Sequence, residues 1–373
     1  MNSRSVSWHL DLAVMAASWI LGSMPGMKIL LVSDAWRPQV NGVVRTLENT
    51  QVELSAMGHV VEVIGPDRFH SVPLPGYPEI AVAVRPYPML SRLIEQFSPD
   101  CVHVATEGPL GMATRRWCRR NGMPFTTSYH TQFPEYLRMR MPVPTAWTYR
   151  WLRNFHRAAE RTMVRTRTQA KLLEEQGFSN LAVWPGGVDT QLFRPRPKTA
   201  LNLPRPIALY AGRVAPEKSL EDFLSIELPG SQVIIGDGPA RVELEKQFPN
   251  AHFLGYRFGE DLAALVASAD VFVFPSRTDT LGLVMLEAMA CGVPVAAYPV
   301  PGPVDVVLNG VSGILNDDLA TAIDQALALD GSDCHAFAST FSWRHCTEAL
   351  LAQLQPAQCS SVSLPAPVMA TEN

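Results

Sequence analysis

No stretch of this 373-residue chain is apolar for long enough to cross a bilayer, which takes about 20 residues. The nearest candidate, residues 12–21, is too short and follows Asp11. Cysteine is sparse. Cys101, Cys118, Cys291, Cys334, Cys346 and Cys359 form no C-x-x-C pair and no histidine-spaced metal pattern. That argues against a disulfide scaffold or a zinc module and suits reduced thiols in a cytosolic protein. There is no Walker lysine loop, no nucleophile elbow, no helical pair of histidines four apart, no Asp-x-Asp pair and no fixed-period repeat. P-loop, serine-hydrolase, zinc-peptidase and solenoid readings lose their support. The net charge of −4 and the want of a recognition motif speak against nucleic acid as a partner.

What is present is a globular composition, 47% hydrophobic, at a length that suits two domains. Short apolar runs that suit buried parallel strands alternate with helical segments in both halves. In the first half the strands are 28–32, 60–64, 102–105, 124–128 and 181–184; in the second they are 207–211, 233–236, 253–255, 271–275 and 293–297. Residues 72–79, rich in Pro and Gly, are expected to be a loop. The alternation predicts two doubly wound α/β domains facing a cleft.

Charge divides unevenly between the halves. Residues 27–195 hold 20 Lys/Arg against 14 Asp/Glu, a net +6, whereas 196–373 hold 10 against 20, a net −10. Arg150, Arg153, Arg157 and Arg161 recur at the spacing of one helical face, with Trp147, Tyr149, Trp151 and Phe155 among them. Arg115, Arg116, Arg119 and Arg120 make a second basic face, and Tyr136, Arg138, Met139, Arg140 and Met141 extend the first. Two readings stand open: a face for an anionic membrane, or a solvated face whose rings pack in the core.

The richest stretch is 276–292, SRTDTLGLVMLEAMACG. It joins a buried strand to a helix of good formers, stopped by Gly292 and Pro294. Gly282 lets backbone approach a ligand, and the N–H groups of the first turn suit an anion. Asp279 and Glu287 add two acceptors for hydroxyls, a combination that suits a nucleotide-sugar. A second loop, 212–218, carries Arg213 and Lys218 directly after a strand, a fork and a point charge for a diphosphate. Gly42 lies at a strand-to-helix turn, His130 at the carboxyl end of a strand, and Gly236 and Gly238 at another strand end.

These segments resemble the retaining glycosyltransferases of family four, of GT-B architecture. The resemblance covers 27–354 and is carried most by 212–218 and 276–292, with YHT at 129–131 and VPLPGYPE at 72–79 in support. The family has Glu at the position of Asp279, so the shorter carboxylate departs from its pattern. By this resemblance Asp279 would hold the donor sugar and Glu287 the ribose. Arg213 and Lys218 would meet the diphosphate, together with backbone near Thr280, Leu281, Gly282 and Leu283. Gly42 would lie against the phosphates, Gly236 and Gly238 beside the base, and His130 near the reacting carbon.

The resemblance implies α/β domains of the GT-B kind: 27–195 on the acceptor side, 196–340 binding the nucleotide-sugar, and a helix over 341–355 that crosses back. Residues 1–26 are expected to be an extension outside the fold or a start placed too early, with a weak signal peptide as the other reading. Residues 356–373 are expected to be a disordered tail. The expected activity is transfer of a hexose, from UDP-glucose first and GDP-mannose next, to a hydroxyl of a lipid such as diacylglycerol, with α linkage. No cofactor or metal is expected, and the expected location is cytoplasmic, peripheral at the inner face of the membrane. A reading of another class is a non-catalytic protein that binds sugar-nucleotides through a degenerate site, suggested by Asp279.

Overall fold

The structure is a computed structural model that describes residues 26–39, 41–74, 77–130, 144–279, 281–354 and 356. Two six-stranded parallel sheets organise it. The first is built from β1 (Lys28–Val32), β2 (Val60–Ile64), β5 (Cys101–Val104), β6 (Phe125–Ser128), β7 (Arg161–Val164) and β8 (Leu181–Val183), in the order β2-β1-β5-β6-β7-β8. Between β2 and β5 lies an antiparallel hairpin, β3 (Ser71–Leu74) and β4 (Tyr77–Ala83). The second sheet has β9 (Ile207–Ala211), β10 (Ser231–Ile235), β11 (His252–Phe253), β12 (Val271–Phe274), β13 (Val295–Ala297) and β14 (Gly313–Leu315), in the order β11-β10-β9-β12-β13-β14. Central strands such as β9 and β12 are buried along their whole length, which is why they are unbroken apolar runs rather than alternating ones.

Five helices position the site: α1 (Gly42–Ala56), α2 (Pro109–Asn121), α3 (Thr145–His156), α4 (Leu283–Ala290) and α5 (Trp343–Leu351). The side chain of Asn41 caps α1, accepting from Val43 N and Val44 N. Ser342 does the same for α5 through His345 N; such caps are worth about 1 kcal/mol each. α5 belongs in sequence to the second half but packs in the core of the first. Trp343, Cys346, Leu350 and Leu351 share one cluster with Ile29, Leu31, Leu47 and Leu54. Trp184 Nε1 donates to the Cys346 carbonyl at 3.1 Å.

Two local expectations are corrected. Of residues 72–79, those at 72–74 and 77–79 lie in the two strands of a hairpin, not in a loop; proline is tolerated there because an edge ribbon leaves ladder positions unpaired. The basic helical spacing from Arg150 to Arg161 does not describe one helix. α3 stops at His156 with Arg157 as its C-cap, and Arg161 opens β7, whose Thr162, Met163 and Val164 are buried. β-Branched residues in a sheet interior override a charge spacing. Tyr136, Arg138, Met139, Arg140 and Met141 lie outside the described residues.

Candidate active site

The loops at the carboxyl ends of β9, β10 and β12 meet. From β9, residues 212–218 run into a short 3-10 turn over Pro216–Lys218. The turn after β10 packs backbone to backbone against this loop: Val214 N donates to the Asp237 carbonyl at 2.9 Å. A Cβ on Gly236 would sit 1.9 Å from the Gly212 carbonyl oxygen, and one on Gly238 would sit 2.3 Å from that of Val214. Both glycines have positive φ, +132° and +158°. Gly236 and Gly238 are therefore required by the loop itself, a use of glycine that their placement at a strand end does not reveal.

From β12, Ser276 to Asp279 turns toward the same place. Lys218 Nζ donates to Asp279 Oδ1 at 2.6 Å and to Oδ2 at 2.8 Å, with both side chains less than one-fifth exposed. Two residue types singled out on separate loops are thus one ion pair. Arg213 shares the loop, and its carbonyl accepts from the Tyr210 hydroxyl at 2.9 Å. Thr280 lies outside the described residues. Gly282, left-handed at φ +78°, precedes α4; a Cβ there would press on Met285 and Phe274.

The first sheet supplies the opposite wall. Gly42, the first residue of α1, faces Leu283 across the cleft, 3.8 Å from the site of its Cβ to Leu283 Cδ1. Gly186 sits against Leu281 and Leu283, where any Cβ would be within 2.3 Å of Leu281 Cδ2. Arg45, one turn into α1, reaches Glu287 on α4 at 2.6 Å. Burial pushes the Glu287 carboxyl above its usual range, and Arg45 opposes that shift. Nothing in the sequence marked Arg45; its partner is 242 positions away, a contact that neither spacing nor periodicity carries.

His130 lies two residues beyond β6 with its ring 5.7 Å from that of Trp184. Burial first, then the Arg165 charge, holds its imidazole well below the usual range, so it is neutral. Arg165 is wholly enclosed: it donates to Thr46 Oγ1 at 2.6 Å and to the Trp184 and Pro185 carbonyls at 3.2 Å, and lies 4.5 Å over the Trp184 ring. It ties β7, α1 and the 185–187 segment together behind the cleft. His103, bonded on both nitrogens to Thr126 and Ser128, is pushed down to about 3 by burial and by Arg165. Asp34 at the end of β1 accepts from Leu110 N at 2.8 Å and Gly111 N at 3.2 Å, capping α2 from a distant segment. Among the described residues, no group of three or more His, Cys, Asp or Glu is arranged to hold a metal, and no helix is long and apolar enough to cross a membrane.

Two Rossmann-like lobes with a charged cleft between strand ends define the class: a GT-B glycosyltransferase that uses a nucleotide-sugar donor. Residues 40–192 match the domain described as Glycosyltransferase Family 4, and residues 205–329 that described as Glycosyl transferases group 1. A GDP-mannose-dependent alpha-mannosyltransferase of Mycobacterium tuberculosis is 33% identical over 78% of this chain and 84% of its own. An alpha-monoglucosyldiacylglycerol synthase of Streptococcus pneumoniae is 26% identical over 81% and 78%. Among solved structures, a sucrose-phosphate synthase from Thermosynechococcus elongatus superposes with a TM-score of 0.72 at 20% identity, over 87% of this chain and 97% of that one. Anabaena HepE with UDP and glucose gives 0.67 at 19% identity, over 87% and 98%. The chain belongs to glycosyltransferase family 4.

Proposed function

We propose that the protein transfers a hexose from a nucleotide-sugar to a lipid hydroxyl with retention at the anomeric carbon. The observation that carries this reading is the Lys218–Asp279 pair, which joins the loops after β9 and β12, with Arg213 on the first of those loops. A sugar diphosphate presents two needs at adjacent points, a cation for the leaving phosphates and an acceptor for sugar hydroxyls. Lys218 and Arg213 would offset charge on the diphosphate, aided by the N–H groups at the start of α4. Asp279 would orient the sugar and Glu287 the ribose. The bond from C1 to the diphosphate oxygen breaks, a bond from C1 to the acceptor oxygen forms on the same face, and the acceptor proton leaves with the released phosphate. Neutral His130 suits a hydrogen bond on the acceptor side of that centre.

For the donor we place GDP-mannose first, on the similarity to the mycobacterial mannosyltransferase. UDP-glucose remains the second reading, favoured by the likeness of 72–79 to glycolipid synthases. A lipid acceptor is supported by a face of the first lobe. Trp147 and Trp151 stand on one side of α3, 72% and 42% exposed, an unusual cost in water that an interface removes. Arg115 of α2 donates to the Asn154 and Phe155 carbonyls of α3. That brings this edge beside a groove lined by Tyr87, Arg115, Arg116, Arg119 and Arg120. The arrangement suits an anionic bilayer at its cytoplasmic face.

The test is a panel of GDP- and UDP-sugars with purified protein and vesicles containing diacylglycerol, read as released GDP or UDP and as the anomeric form of the product. Turnover with soluble sugars and none with lipid removes the lipid reading. An inverted product removes retention. A protein that binds nucleotide-sugar but turns over with no acceptor supports the degenerate-site alternative.

A further inference from the structure

The Arg45–Glu287 contact crosses from one lobe to the other, and its chemistry is specific. Glu287 is almost fully enclosed on α4, its side chain 8% exposed, and Arg45 is 35% exposed on α1. Arg45 is itself fixed, with its guanidinium 5.9 Å from the Phe193 ring. Among the described residues Arg45 is the partner of Glu287, and it takes Oε1, so Oε2 is left for a ligand. The buried carboxylate belongs to one lobe, and the cation that stabilises it belongs to the other.

We propose that Arg45 is a positioning residue of the donor site: it orients the Glu287 carboxylate for the ribose hydroxyls and completes that part of the site only when the lobes are together. The inference rests on the reading of Glu287 as the ribose acceptor. Its physical basis is that an enclosed carboxylate without a cation takes up a proton instead, and a protonated carboxyl is a poorer acceptor for two vicinal hydroxyls. The groups that bear on Glu287 are few. Arg45 faces it from α1, and the Cys291 thiol lies one turn along its own helix, pushed up to about 12 by burial and then by Glu287. His335, from the helix Gly331–Ala338 packed against α4, turns instead to the Ala290 carbonyl at 2.6 Å. Glu260, on the helix Gly259–Ala267, is engaged by Arg196. Strands β12 and β13 bring no ionisable side chain.

The consequence is a donor site whose affinity depends on lobe closure through one ion pair. An N-terminal lobe that swings away takes Arg45 with it and weakens the hold on ribose, which couples nucleotide release to opening.

The test uses full-length protein and calorimetric titration with UDP and GDP, each beside its 2′,3′-dideoxy analogue, at pH 6.5 and 8.5. Wild type should bind the ribose forms at least about tenfold more tightly than the dideoxy forms, the scale of a hydrogen bond to a charged group. Arg45→Gln should reduce that preference to within about threefold at the lower pH and recover part of it at the higher, the direction expected of a buried carboxyl whose ionised form Arg45 had favoured. Arg45→Lys should keep the preference. A merely structural role would not be rescued by pH. Glu287→Gln should lose the preference at both pH values, and the double variant, whose facing amides can still hydrogen-bond and hold the lobes, should lose no more. Wild-type preference in Arg45→Gln at both pH values overturns the inference, as does a further loss in the double variant. A wild-type protein that binds the nucleotides without any ribose preference refutes the Glu287 reading and the inference with it. One that binds neither nucleotide refutes the donor site as a whole.

Discussion

Asp279→Asn separates two roles that the ion pair would otherwise confound. Asp279 holds Lys218 with both oxygens, at 2.6 and 2.8 Å. If its only work were to neutralise that lysine, removing its charge would free Lys218 for phosphate and improve donor use. If it holds the sugar, the same change weakens transfer. Hydrogen bonds to charged groups are worth about 1.5–3 kcal/mol, or roughly 10- to 150-fold. Both side chains are partly exposed, so screening moves the expectation toward the lower half of that range. The prediction is therefore a divergence. UDP or GDP alone should bind the variant at least as tightly as wild type, by up to about tenfold, because Lys218 no longer exchanges one anion for another. kcat/KM for the nucleotide-sugar should fall by roughly 10- to 50-fold. Calorimetry with the nucleotide and a coupled assay of nucleotide release read the two quantities. A variant within about threefold of wild type in kcat/KM refutes the sugar-holding role. Parallel losses in both would mean that Asp279 acts by shaping the loop.

Gly236→Ala should destabilise the protein by about 2–4 kcal/mol and abolish nucleotide binding, since its Cβ has no space beside the Gly212 carbonyl and φ is +132°; a melting temperature within 2 °C or so of wild type would contradict that. Leu350→Ala, at a fully buried position in the shared core, should cost about 2–5 kcal/mol in urea denaturation, and the loss should appear in the unfolding of the first lobe; an unchanged midpoint would detach α5 from that core. His103 carries a pH signature: its folded-state value is about 3 against an ordinary 6.5. Below 6.5 the unfolded chain binds a proton that the folded one refuses, so its contribution to stability is lost as pH falls, by about 1.4 kcal/mol per unit. The stability of wild type relative to His103→Gln should decline by that slope between pH 6 and 4.5. Taking the difference cancels the raised carboxyls of Asp34 and Glu287, which act in the opposite sense; parallel pH profiles would refute the burial argument.

The sheets were legible because parallel strands enclosed on both faces must be apolar from end to end, as Lys28–Val32 and Val271–Phe274 nearly are. The loop residues Arg213, Lys218, Asp279 and Gly282 were also visible, each as a residue type at a strand end, although their mutual contacts were not. Where reading failed, a stronger local signal misled. Prolines at 73 and 78 suggested a loop where β3 and β4 run, and arginines at helical spacing ran on into β7.

The residues that went unseen share one property: each acts on a segment far along the chain. Asp34 caps a helix 76 positions away, Arg165 reaches back 119 positions to Thr46, and Arg45 meets Glu287 in the other lobe. A helix cap supplied from another strand leaves no capping residue in its own sequence, and Gly108, the formal N-cap of α2, is there because a Cβ would strike the Asp34 carboxylate. The glycine is the visible trace of the acid. By the same logic Gly186 leaves space for Leu281 and Leu283, while Gly42, whose Cβ site lies at ordinary contact distance of 3.8 Å from Leu283 Cδ1, marks a second close approach. Small residues in the first lobe mark where the second lobe comes close, and Arg45, one turn from the first of them, is the charged side chain placed to use that closeness.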